Sequence, residues 1–88
     1  MRDYGYLRQV EGLEINQVED GFIIYDPNRD SVHFLNHTAV FMLELCNGKH
    51  EADEMIRIIR EAYGVENISR DDMVGILDRF MEEGLVFS

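Results

Sequence analysis

Cysteine, proline and positive charge are all scarce in this chain, and each shortage narrows what it can be. The one cysteine, Cys46, excludes an internal disulfide, so the fold must rest on packing alone. A lone cysteine also suits a reducing compartment, and we expect a cytosolic protein. Its place in an apolar segment points to inert packing. The one proline, Pro27, falls in a turn, and no Pro-rich or Gly/Ser-rich linker divides the sequence. Eight bases stand against 18 acids, a formal net charge of −10. Such a surface repels phosphate backbones and gains little from counterion release, so nucleic acid is a poor partner. Anionic membranes are disfavoured for the same reason. No apolar run approaches the roughly 20 residues of a membrane span. The opening MRDYGYLRQ lacks the apolar stretch of a secretory signal. Partners carrying basic residues are favoured.

What is present is enough for one packed domain covering residues 1–88. The chain is 45% hydrophobic, with five Phe and four Tyr, which argues against disorder. Residues 13–18, LEINQV, alternate apolar and polar and predict a half-buried strand. Glu19-Asp20-Gly21 follows as a hairpin signal, because Asp and Gly both tolerate positive φ. GFIIY, residues 21–25, is rich in β-branched and aromatic residues and predicts the returning strand. Asp26-Pro27-Asn28-Arg29-Asp30 is a second turn, with Asp26 and Asn28 able to bond local backbone. SVHFL, Ser31–Leu35, is the third strand. Residues 1–10 are left as an N-terminal arm.

Three helices account for the remainder. Asn36 is placed to cap the first, residues 38–46, and Gly48 sits where a left-handed residue ends it. Apolar residues on several faces of that helix predict a central position. The second spans Ala52–Tyr63, with Ala52, Met55, Ile56, Ile59, Ala62 and Tyr63 in one stripe and Glu51 before it. Ser69-Arg70-Asp71-Asp72 is a capping-box signature opening a third helix to about Glu83. Met73, Ile76, Leu77, Phe80 and Met81 are its apolar positions. Gly84 stops it, and Leu85-Val86-Phe87 should pack back. The expected architecture is α+β, a three-stranded antiparallel meander followed by a three-helix bundle, βββααα.

Catalytic and metal signatures are absent. His33, His37 and His50 have no zinc-ligand spacing with Cys46. No Gly-rich phosphate loop or nucleophile-elbow motif occurs. We expect no enzyme activity, no cofactor and no metal.

The pieces Pro27, Leu35-Asn36-His37-Thr38-Ala39, Asn47-Gly48, Glu54, Tyr63-Gly64, Asp72 and Glu83-Gly84-Leu85, in this order, resemble the PqqD-like family. These are small winged-helix-like domains also called RiPP recognition elements. Asn47 departs from the commoner Asp, and Glu51 from the usual Thr cap. The resemblance implies a non-catalytic carrier of a ribosomally made precursor peptide. In the family the leader segment adds as a strand beside the third strand, against the third helix. The carrier then presents the core peptide to a modifying enzyme, often a radical-SAM enzyme.

The residues independently point to the same region. Ser31, Val32, His33, Phe34 and Leu35 contain no Pro, Gly or Lys to blunt a sheet edge. If the meander order holds, this edge is open unless the third helix or the N-terminal arm covers it. On the third helix, Ile76 and Phe80 share a face with Met73 nearby, and Asp72 and Arg79 flank them as charge contacts. Phe80 and Met73 also fit the core, whereas Ile76, toward one margin of the stripe, suits a groove. The alternatives are a winged helix-turn-helix regulator of DNA or a generic protein-interaction subunit. The acidic third helix, with Asp71, Asp72, Asp78, Glu82 and Glu83 against Arg70 and Arg79, speaks against the first.

Overall fold

Val18 and Gly21 face each other across a turn at Glu19 and Asp20, and that pair sets the register of a whole sheet. The computed structural model describes residues 4–88. In chain order its elements are β1 (Tyr6–Gln9), β2 (Glu14–Val18), β3 (Gly21–Asp26), β4 (Ser31–Leu35), α1 (His37–Leu45), β5 (Asn47–Glu51), α2 (Ala52–Tyr63), α3 (Arg70–Glu82) and β6 (Val86–Phe87). The expected meander is present as an antiparallel sheet in the order β2-β3-β4. Three helices follow it, so the α+β reading holds.

The strand count does not hold. Among the described residues a second sheet, in the order β5-β1-β6, adds three strands to the expected three. The arm expected at residues 1–10 is therefore partly a strand; its residues 1–3 lie outside the described ones. β1 buries Leu7 completely. Its last residue also ends α1: the Gln9 amide donates to the Cys46 carbonyl at 2.9 Å and its side-chain Nε2 to the Leu43 carbonyl at 2.9 Å. Those carbonyls needed partners. The Leu43 carbonyl also accepts from the Cys46 amide at 3.0 Å; α1 ends at Leu45, and Gly48 lies inside β5 instead of capping a helix. Gly48 has φ +82 and leaves room for the Arg8 guanidinium, which a Cβ there would meet.

The first hairpin also forms for a different reason from the one its residues suggest. Among the described residues only Asp30 is a non-glycine with positive φ, so Glu19 and Asp20 turn without it. Gly21 is needed inside the strand: a Cβ there would lie 2.6 Å from the Leu35 carbonyl oxygen and 2.9 Å from the Phe34 ring. It is a close-approach glycine. In the second turn Asp26, fully buried, accepts from the Asn28 amide at 3.0 Å, the expected local bond.

The helix caps follow the sequence closely. Asn36 Oδ1 accepts from the Ala39 amide at 2.8 Å, and Ser69 Oγ accepts from the Asp72 amide at 3.0 Å. Glu51 makes no side-chain cap bond; Asp53 and Glu54 in the first turn of α2 complement the dipole instead. At the end of α3, Gly84 donates to Met81 and Leu85 to Phe80, with Gly84 at φ +73. That pairing is a Schellman motif, and it drives Leu85 into the core against Phe80. α1 lies between the other two helices and both sheets, as its all-round apolar surface requires. Ala62 and Tyr63, expected on the buried stripe of α2, are exposed at its last turn, where Tyr63 leans on the Phe41 ring. Arg60 then pins the α2–α3 loop, donating to the carbonyls of Ile68 at 2.9 Å and Val65 at 3.2 Å.

Cys46 is buried, and burial pushes its thiol from 9.0 up to about 12. A raised value keeps the group protonated, leaving roughly a thousandfold less reactive thiolate. We expect iodoacetamide at mildly alkaline pH to leave the native protein unmodified and to label it fully in denaturant, read by intact mass. Fast labelling of the native protein would show that Cys46 is not enclosed.

Candidate functional site: an open strand edge beside a groove

The residues flanking a two-residue turn exchange both backbone hydrogen bonds, and bonded and non-bonded pairs then alternate along an antiparallel ladder. Starting from Val18 and Gly21, the groups of Gly21, Ile23 and Tyr25 face β2, and those of Phe22, Ile24 and Asp26 face β4. β4 pairs Phe22 with Leu35, Ile24 with His33 and Asp26 with Ser31. Ser31, His33 and Leu35 therefore bond to β3. The N–H and C=O groups of Val32 and Phe34 face outward, and among the described residues no strand lies beyond them. Among the described residues the N-terminal segment runs elsewhere, with β1 between β5 and β6.

Side chains divide the same way. Val32 and Phe34 stand on the outer face, 65% and 53% exposed. Leu35 is buried, and His33 turns toward α3. The strand leads through Asn36 directly into α1, and the Phe22 ring meets His37 edge-on with centroids 5.1 Å apart. The junction is thus held on both sides.

α3 runs beside this edge. At its C-terminal end His33 Nδ1 lies 2.8 Å from Glu83 Oε2, while His33 Nε2 is 3.1 Å from Ser31 Oγ. Arg79 Nε donates to Glu83 Oε1 at 2.9 Å. Ser31, His33, Glu83 and Arg79 thus form a row of polar contacts tying strand to helix. Arg29 adds a contact from the preceding turn to the Glu83 carbonyl. Further along, a groove of about 530 Å³ separates the first half of α3 from the start of α1. Asn36 and Thr38 line one side; Asn67, Ile68, Asp71, Asp72, Met73, Gly75, Ile76 and Arg79 line the other.

Of the residues expected to form the site, the structure gathers Asp72, Met73, Ile76 and Arg79 in the groove. Ser31, Val32, His33, Phe34 and Leu35 form the strand that leads into it. Phe80 is fully enclosed in the core, behind the groove wall, and Met73, 3% exposed, divides its surface between core and groove. Sequence reasoning missed Asn36, Thr38, Asn67, Ile68, Asp71 and Gly75. A signal existed for Asp71, which adjoins Asp72 in the acidic first turn of α3. Asn36 was read only as a cap. No group of three or more His, Cys, Asp or Glu among the described residues is placed to hold a metal ion. None of the described helices is long and apolar enough to cross a membrane.

A family model described as coenzyme PQQ synthesis protein D (PqqD) matches residues 21–86, from the first residue of β3 through the first of β6. No curated protein and no solved structure matches the chain at a significant level. The match spans most of the chain, including both walls of the groove and the open edge. The chain therefore belongs to the PqqD family, the RiPP recognition elements, which are accessory proteins in the biosynthesis of PQQ and related ribosomal peptide products.

Proposed function

We propose that this chain is a non-catalytic cytosolic peptide chaperone: it binds the leader of a precursor peptide as an added strand along β4 and presents it to a modifying enzyme, of radical-SAM type. The observation that carries the reading is the pair of outward-facing amide and carbonyl sets at Val32 and Phe34, bordered by the α3 groove. Strand addition gives sequence-tolerant attachment through main-chain bonds, while pockets beside the edge give selectivity. A disordered leader loses roughly 1–2 kcal/mol per residue on ordering, so backbone bonds alone leave little net affinity. Two buried Leu- or Phe-sized anchors contribute roughly 3–6 kcal/mol and tip the balance. The rigid passage from β4 into α1 keeps the ordering cost on the protein side small.

Two other readings have less support. On α3 Arg70 pairs with Asp53 and Arg79 with Glu83, so its cations are engaged within the chain and poorly available to DNA. The order Ser31–His33–Glu83 is also that of a nucleophilic relay. In a family of non-catalytic accessory proteins, its role as a tie between β4 and α3 is the better account.

Val32→Pro tests the reading. It removes an outward N–H that serves no bond to β3, from a side chain that is mostly solvent-exposed. We expect calorimetric affinity for the leader of the cognate precursor to fall about tenfold or more, equivalent to ~1.4 kcal/mol, with a much smaller loss of fold stability. Unchanged affinity would place the peptide elsewhere.

A further inference from the structure

Gly75 stands inside α3, where glycine is the least favoured residue after proline. Three other glycines are crowded: a Cβ at Gly21, Gly48 or Gly84 would meet another group within 3.0 Å. At Gly75 nothing lies within 4 Å of that position. The packing of this chain makes no demand for glycine there, yet the residue lines the groove. It shares a helix face with Asp72, Ile76 and Arg79, so beside Ile76 the backbone of α3 carries no side chain. Ile68, Met73 and Ile76 supply apolar surface around this notch. Charge at the two ends differs. Arg79 is matched by Glu83, whereas the carboxylates of Asp71 and Asp72 are exposed and, among the described residues, make no ion pair.

We infer that the notch at Gly75 seats one bulky apolar side chain of the bound peptide, with a lysine or arginine of that peptide against Asp71 and Asp72. The inference rests on the peptide-binding reading above and specifies its substrate class. A missing side chain at the floor lets an inserted Leu or Phe reach the helix backbone and shed its water against Ile68, Met73 and Ile76. The exposed carboxylates at the rim attract a cation and repel an acidic peptide. Together they select a peptide by anchor size and by neighbouring charge.

A displayed library of random short peptides provides the probe. It is selected separately on the wild type and on Gly75→Leu, a substitution that fills the notch and favours the helix. Gly75→Leu should melt no lower than the wild type. Peptides enriched by the wild type should share one large apolar residue close to a Lys or Arg. They should bind Gly75→Leu about tenfold or more weakly by fluorescence anisotropy, and binding should return when the anchor is cut to alanine. Asp71→Asn with Asp72→Asn should abolish the preference for a basic neighbour. If Gly75→Leu binds the enriched peptides as the wild type does while Val32→Pro does not, the edge reading stands and the anchor seat is wrong. Loss of binding without recovery on anchor truncation also overturns the seat. Indifference to both substitutions, or no enrichment at all, overturns the seat and the strand-addition reading together.

Discussion

Cutting Phe80 back to alanine is expected to cost about 3–5 kcal/mol, the largest effect of any single change considered for this chain. The side chain is fully enclosed, and it is the helix-side contact of the Schellman motif that carries Leu85 inward. Removing the ring therefore leaves a cavity and also withdraws the partner of the next buried side chain. Total stabilities of small domains begin at about 5 kcal/mol, so much of the molecule should be unfolded at ambient temperature. A urea melt followed by circular dichroism reads the effect directly. Ile76→Ala, at a half-buried position on the groove side, should cost far less. That contrast separates two residues the sequence places on the same face. A loss below about 1 kcal/mol for Phe80→Ala would show that the ring is not a core anchor.

Gly21→Ala should follow, with a loss of about 1–3 kcal/mol from overpacking. The new methyl would sit 2.6 Å from the Leu35 carbonyl oxygen and 2.9 Å from the Phe34 ring. The ring can swing toward solvent. The carbonyl cannot move without dragging the Phe22–Leu35 pair, and with it the end of β4. We expect guanidinium melts to shift to lower denaturant and amide exchange along β4 to accelerate. On the strand-addition proposal leader affinity should fall as well, because the displaced segment is the edge proposed for docking. The same replacement at Gly75 should do the opposite to stability, since open space surrounds that position. The pair of alanine substitutions thus separates helix propensity from room to move: stabilisation at both sites would mean that β4 gives way easily, contrary to the register described above.

How much of this was legible in the sequence depends on the range of the interactions. Asn36, Ser69 and Gly84 announce themselves because a cap bonds to residues three or four places away. Ser31–Leu35 reads as an unprotected edge because the turns at 19–20 and 26–30 join neighbouring strands. The second sheet was not legible. Its strands are short, NGKHE looks like a loop by composition, and β1 finds its partners only through residues distant in the chain. The same blindness placed the end of α1 at Gly48, since part of its capping comes from Gln9. At the site, the acids and apolar residues of α3 were visible as a helical face. Gly75 was not, because a missing side chain gives no pattern signal until the space around it is known. Phe80 and Ile76, four apart, could not be told apart until the core had a direction.

The two sheets also differ in how they must assemble. β2, β3 and β4 zip through adjacent turns, whereas β1 has to meet β5 and β6 across long intervening loops, a slower closure with a higher entropic barrier. The ladder proposed for docking belongs to the more local half. On the strand-addition proposal, a client landing on that rim adds a fourth strand to the meander. By mass action a cargo bound in this way would favour the folded carrier, so the proposed peptide would act as a template for the protein that escorts it.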